Sequence, residues 1–132
     1  MAVITVRVYY EDTDAGGVVY HANHIKYFER GRTELLRDLG YQQDQLMQQD
    51  ICFVVRSLNI DYKRPALFNQ LLSVETTINT LKRASIVFDQ AIRDADQQLI
   101  AQGQVTVACV TLSSMKATAI PTNLKEDLLG AF

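Results

Sequence analysis

The sequence predicts an α+β domain in which an antiparallel sheet packs against one long helix. Three observations carry that reading. Val3 to Tyr10 alternates residue by residue, with Ile4, Val6, Val8 and Tyr10 on one side. Ile25, Phe28, Leu35, Leu36 and Leu39 then recur at helical spacing, and Gly40 supplies a natural stop. From Ile51 to Leu112 the chain returns to strand periodicity, broken by short turn signals.

The elements follow in order. After the first strand and the long helix, Asp44 is expected to cap a short helical turn through Met47. Ile51 to Lys63 reads as a strand with Leu58, Ile60 and Tyr62 facing one way and Asn59, Asp61 and Lys63 the other. Pro65 interrupts it, since proline cannot donate to a central ladder. Leu72 to Leu81, with Leu72, Val74, Thr76 and Ile78 on one face, is the next strand, and Ser85 to Arg93 another. Asp94-Ala95-Asp96-Gln97 is a hairpin turn leading into Leu99 to Leu112, and Asn123 with Glu126 fits the cap of a short C-terminal helix. Gly31 falls inside the long helix, where it costs up to ~1 kcal/mol relative to alanine. Close packing of helix against sheet explains it best. Glu29, Arg30, Arg32, Glu34 and Arg37 are expected on a solvated or interface face, with Arg30 and Glu34 as an i,i+4 pair.

Composition narrows the function classes. The 132 residues fit a single domain over 1–132, burying roughly 65–70% of the unfolded surface without staples. A formal charge of −2 argues against a general binder of nucleic acid or anionic membrane. The apolar runs fall far short of the ~20 residues that span a bilayer. No signal peptide is visible before the first strand pattern. Cys52 and Cys109 lie far apart in apolar runs and read as reduced, buried thiols, which suits the cytoplasm.

The chemistry concentrates in Glu11 to His21, EDTDAGGVVYH, between the first strand and the helix. Paired glycines between carboxylates let the backbone turn tightly, with positive φ where needed. The loop delivers acidic side chains to a helix start, where unpaired amides point outward. Taken alone, Asp14 reads as a turn- or cap-forming aspartate, and His21 equally as a hydrogen-bonded cap or a proton shuttle. Tyr10 by itself reads as a core tyrosine. No metal is expected: the calcium-loop spacing fails at Gly16 and Asn23, and His21 and His24 do not match HExxH. Gly16-Gly17 lacks the ending of a phosphate-binding loop.

The stretch YYEDTDAGGVVYHANHIKYFERGRTELLR resembles the signature of hotdog-fold acyl-CoA thioesterases. It is most similar to the bacterial branch associated with the Tol-Pal system, with 4-hydroxybenzoyl-CoA thioesterases as cousins. Weaker similarity continues through YKRPALFNQLLSVET and KRASIVFDQ. The resemblance implies a hotdog fold and hydrolysis of acyl-CoA to free acid and CoA, with no cofactor. It makes Asp14, three residues before Gly17, the nucleophile or general base. It assigns His21 an orienting role and puts the Tyr10 hydroxyl near the reacting carbonyl. Substrate contacts would come from Gly17, Val19 and Tyr20, with the amides of Val19 to His21 polarising the carbonyl. Asp12 would structure the loop, and His24 stays structural. Lys63-Arg64 and Lys82-Arg83 are the candidate basic patches for CoA phosphates, with Arg83 and Ser85 favoured by the KRAS similarity. The resemblance further implies a dimer or tetramer with the site between subunits, and partners in the envelope or lipid metabolism. Two other readings stay open: a hydratase or dehydratase on acyl thioesters, and a silent acyl-CoA-binding scaffold.

Overall fold

The computed structural model describes residues 1–131. Its elements are β1 (Ala2–Arg7), α1 (Asn23–Asp38), α2 (Gln43–Gln48), β2 (Ile51–Tyr62), β3 (Leu71–Leu81), β4 (Ser85–Arg93), β5 (Leu99–Thr111) and α3 (Thr122–Gly130). The strands form one antiparallel sheet in the order β1-β3-β4-β5-β2. This is the expected α+β arrangement. Bulges near Arg56 and Asn79 add local twist, which helps the sheet curl.

The helix lies in that curl because its apolar residues share one stripe. Tyr27, Phe28, Leu35 and Leu36 are buried, against a sheet face that contributes Leu72, Val74, Ile78, Phe88, Ile92 and Val105. Each such side chain contributes roughly 1.5–3 kcal/mol by leaving water. Gly31 sits at the closest approach, as its position in the helix suggested. A Cβ there would fall 2.5 Å from Thr76 Oγ1 and 3.1 Å from Gln90 Nε2.

Several local expectations need correction. β1 ends at Arg7, and Tyr10–Asp12 forms a single 3-10 turn, so Tyr10 leaves the core and is 79% exposed. Arg32 is buried rather than solvated, because the sheet offers Gln90 Oε1 as an acceptor 3.0 Å away. The ion pair on α1 is Glu34 with Arg37 at 2.9 Å, while the Arg30 guanidinium lies over the Tyr27 ring instead. Gln42 and Pro121, not Asp44 and Asn123, occupy the N-cap positions of α2 and α3. The Asp94 turn closes as predicted, with Asp94 Oδ1 accepting from the amides of Asp96 and Gln98. Both cysteines are free, Cys109 buried and Cys52 half-buried. Among the described residues no helix is long and apolar enough to cross a membrane.

Candidate active site

The Glu11–His21 segment folds into a tight hairpin. Thr13 bridges Val19, the Asp14 amide donates to the Val18 carbonyl at 2.9 Å, and the Gly17 amide donates to the Asp14 carbonyl at 3.1 Å. Gly17 takes a φ of +78°. A three-residue loop closed this way needs a left-handed residue at its last position, and glycine adopts it without strain. Asp14 opens the turn and accepts the Gly16 amide on Oδ1 at 2.8 Å, as aspartates at that position do. Its Oδ2 makes no hydrogen bond among the described residues, and the side chain is exposed. The loop thus orients one carboxylate oxygen and leaves the other without a hydrogen-bond partner among the described residues.

Asp12 anchors the base of this hairpin. Its Oδ2 accepts the Tyr9 amide, and its carbonyl accepts the Tyr20 amide and the Asn23 side chain. Burial first, then the neighbouring Asp12 carboxylate, pushes the Tyr27 phenol pKa upward. That hydroxyl is buried with no hydrogen-bond partner among the described residues.

Asp14 opens onto a cleft of about 360 Å³ with Val18, Val19 and His21 on one side and Tyr62, Lys63 and Arg64 on the other. Tyr62 donates to the His21 carbonyl at 2.6 Å, tying the end of β2 to the loop. His24 also lines the cleft, although only 3% exposed, and stands edge-on to the Tyr62 ring. Desolvation holds the His24 pKa below its usual value, opposed by the His21 and Tyr20 carbonyls. His21 is exposed, its ring tilted against Tyr20 at 4.4 Å.

Of the three expected backbone donors, Val19, Tyr20 and His21, only the His21 amide is left without a backbone acceptor among the described residues. Helix α1 starts at Asn23, and the amides of Val19 and Tyr20 are already spent on the carbonyls of Ala66 and Asp12. The amides of His21 and Ala22 have no backbone acceptor among the described residues. Ala22 is the N-cap and has no side-chain acceptor to offer. Serine, threonine or aspartate there would occupy an amide of the first turn, whereas alanine leaves the positive end of α1 uncapped beside the cleft.

The other predicted residues separate from Asp14. Tyr10 is not among the residues that line the cleft and packs edge-on against Phe68. Arg83 and Ser85 stand at the opposite end of the strands. Ser85 pairs with Ala108, whereas Tyr62 pairs with Ala101, seven residues along β5 and so roughly 23 Å away. Ser85 is buried, while Arg83 is exposed. Of the two basic patches, Lys63-Arg64 is the one beside Asp14. The sequence reading passed over Tyr62 and His24 as site residues. Tyr62 had a weak signal, being a strand-end aromatic next to two cations, and His24 had its spacing of three from His21.

Residues 8–128 match the model of the thioesterase-like superfamily. The chain is 48% identical over 121 residues to the acyl-CoA thioesterase YbgC of Haemophilus influenzae, covering 91% of this chain and 88% of that one. It is 44% identical over 119 residues to the acyl-CoA thioester hydrolase YbgC of Escherichia coli, covering 90% and 89%. Its fold superimposes on a Thermus thermophilus protein along the full length of both chains, with a TM-score of 0.94 at 24% identity. With the hairpin, the wrapped helix and these relatives together, the chain belongs to the thioesterase-like superfamily, as a hotdog enzyme of thioester hydrolysis.

Proposed function

We propose that this protein hydrolyses acyl-CoA thioesters to the free acid and CoA, with Asp14 as nucleophile or general base. The observation that carries the reading is the Asp14 carboxylate, held through Oδ1 with Oδ2 unbonded, beside an uncapped helix N-terminus. Such a pairing matches thioester hydrolysis: an anion to attack or to take a proton from water, and donors for the charge that develops on the carbonyl oxygen. In the first route Asp14 adds to the carbonyl carbon, the C–S bond breaks, and water cleaves the resulting anhydride. In the second, water adds as its proton passes to Asp14, and the same proton leaves with the CoA sulfur. The amides at the start of α1 replace those of Val19 and Tyr20 as the donors, and His21 orients the water. Lys63, Arg64 and Arg83 are the cations for the CoA phosphates.

The site extends across two copies. Strand β2 is an edge with apolar residues on show, Val55 at 53% exposure and Tyr62 at 45%, and only Arg56 and Asp61 charged. Such an edge is suited to pairing with another strand. Symmetric antiparallel pairing of β2 with itself sets the Tyr62 end of one copy against the Ile51 end of the other. That brings the Asp14 loop of one copy toward the end of the sheet that carries Arg83 and Ser85 in the second. A dimer is therefore the smallest active unit, and a tetramer is a pair of them. The Tol-Pal-associated branch, a cytoplasmic location and partners in the envelope or lipid metabolism belong to the same proposal and rest on the YYEDTDAGG motif.

The test is release of free thiol from an acyl-CoA panel. Asp14→Asn keeps the acceptor for the Gly16 amide and removes the charge. It should lose at least ~10²-fold in kcat with little change in melting temperature. A folded variant with wild-type turnover would end the assignment. A hydratase would change enoyl absorbance without freeing thiol, and a scaffold would do neither.

A further inference from the structure

Arg32 is a buried charge that the Asp14 cleft does not use. It lies in the middle of α1, 8% exposed, and makes one hydrogen bond, from Nη1 to Gln90 Oε1. Gln90 is itself fully committed, donating at 2.8 Å to both the Phe28 carbonyl and Thr76 Oγ1. No carboxylate forms an ion pair with Arg32 among the described residues. Its Nε and Nη2 donors make no hydrogen bond there either, yet they are not sealed from solvent. The Glu29 carboxylate one helical turn away opposes the desolvation of Arg32 without pairing to it, so the buried guanidinium stays costly and the cost falls when an acceptor arrives.

Solvent reaches Arg32 through a cavity of about 110 Å³ between α1 and the inner face of the sheet. Leu36, Phe53, Ile86, Phe88 and Val107 make its walls apolar. The more exposed lining residues form a polar chain, from Gln43 Nε2 to Thr33 Oγ1 and from Thr33 Oγ1 to Glu29 Oε1. An apolar sleeve that ends on unspent N–H donors fits a short carbon chain whose far end carries oxygen. Its size suits roughly four non-hydrogen atoms, judged against the ~150 Å³ that accommodates benzene.

We propose that this cavity is the acyl subsite and that Arg32 selects short acyl chains ending in an oxygen acceptor. The proposal rests on the thioesterase reading and on the β2-paired dimer, which carries the Asp14 loop of the second copy toward the Phe53–Val55 side of the cavity. Within one chain the cavity lies too far along β2 from the Asp14 cleft for a four-atom chain to bridge them. The acceptor's source is either a neutral hydroxyl or a carboxylate, and substrates separate the two.

The experiment compares kcat/KM by thiol release for pentanoyl-CoA, 4-hydroxybutyryl-CoA and succinyl-CoA. The first two place four non-hydrogen atoms beyond the carbonyl and differ only in the terminal oxygen. Wild type should favour at least one oxygenated substrate over pentanoyl-CoA by on the order of 10- to 100-fold, the range of a hydrogen bond to a charged group. Preference for succinyl-CoA alone assigns the subsite to carboxylates. In Arg32→Met the ratio should fall to about one. Arg32→Lys gives the same reading if the methionine variant does not fold, since its shorter reach should lower the ratio. Wild type favouring pentanoyl-CoA over both, or an unchanged ratio in the variant, overturns the subsite. Absence of thiol release from every acyl-CoA refutes the thioesterase reading instead.

Discussion

Two neighbouring glycines separate the stability of the Asp14 loop from the chemistry proposed for it. At Gly17, with φ +78°, an added Cβ meets nothing within 4 Å, so Gly17→Ala carries no steric term. It does carry the left-handed penalty, roughly 1–2 kcal/mol, less the ~0.4–1 kcal/mol gained by restricting the unfolded chain. A net cost near 1 kcal/mol corresponds to a fall of about 3–4 °C in Tm, at ~2.1 cal/mol/K per residue over this length. Gly16 has no such φ, but its Cβ would lie 3.3 Å from Asp14 Oδ1, close enough to push the carboxylate aside by a few tenths of an ångström. The Gly16 amide bond to Oδ1, worth ~0.5–1.5 kcal/mol, weakens, and the entropic gain offsets much of it. Tm should therefore stay within a degree or two. Turnover should not, because a ~1 Å misplacement can cost 10²-fold and a fraction of that distance roughly three- to tenfold. Thermal melts and thiol release on the two variants give a crossed pattern: Gly17→Ala loses mainly Tm, Gly16→Ala mainly kcat. Wild-type kcat in a stable Gly16→Ala protein would refute the claim that this bond aims Asp14.

The remaining expectations concern the residues around that loop. Tyr27→Phe removes a buried hydroxyl with no hydrogen-bond partner among the described residues, so its Tm should hold or rise; a drop of more than ~4 °C would mean that the neighbouring Asp12 carboxylate accepts from it. His24 has a folded pKa below its unfolded value, so the unfolded state takes up a proton first as pH falls. Its contribution is complete above about pH 6.5 and is lost below that, toward its folded pKa. A His24→Phe variant should show a flatter Tm-against-pH curve from 6.5 to 5 than wild type, and an equally steep one would remove His24 as the cause. Mixing Asp14→Asn with Arg83→Ala under subunit exchange, at substrate well below KM, should restore about a quarter of wild-type activity, since half the dimers then hold one intact site. A mixture no more active than its components would place the two residues in one subunit's site.

The outcome shows which kinds of structural statement local sequence can carry. Strand and helix periodicity set the sheet, the wrapped helix and the β4–β5 turn because each is written in the burial of its own residues. The Asp14 turn was legible for the same reason: a carboxylate, an amide two residues on and a left-handed glycine close it without outside help. Arg32 was misread because its partner, Gln90, is 58 residues away and reaches it only across the helix–sheet interface. Charge on a helix says solvent until a distant strand supplies an acceptor. Val19 and Tyr20 were misread in a similar way, since Ala66 and Asp12 take their amides once the loop docks. The strand reading overran at Tyr10, because alternation continues through two tyrosines while the backbone has already turned into the Asp12-anchored 3-10 segment.

Arg83 and Ser85 teach a different limit. Sequence similarity grouped them with Asp14, and the fold of one chain sets them at opposite ends of the sheet. The proposed dimer reconciles the two, because its functional unit has two copies of every strand end. The edge strand β2 provides the symmetric contact that would do so, with its free backbone edge and half-exposed Val55 and Tyr62. On this view the long, sparsely charged edge and the separated residues have one cause. In the proposed dimer the edge is covered and each Asp14 loop meets the Arg83 end of the other copy, whereas a single chain leaves that edge exposed and the two groups apart.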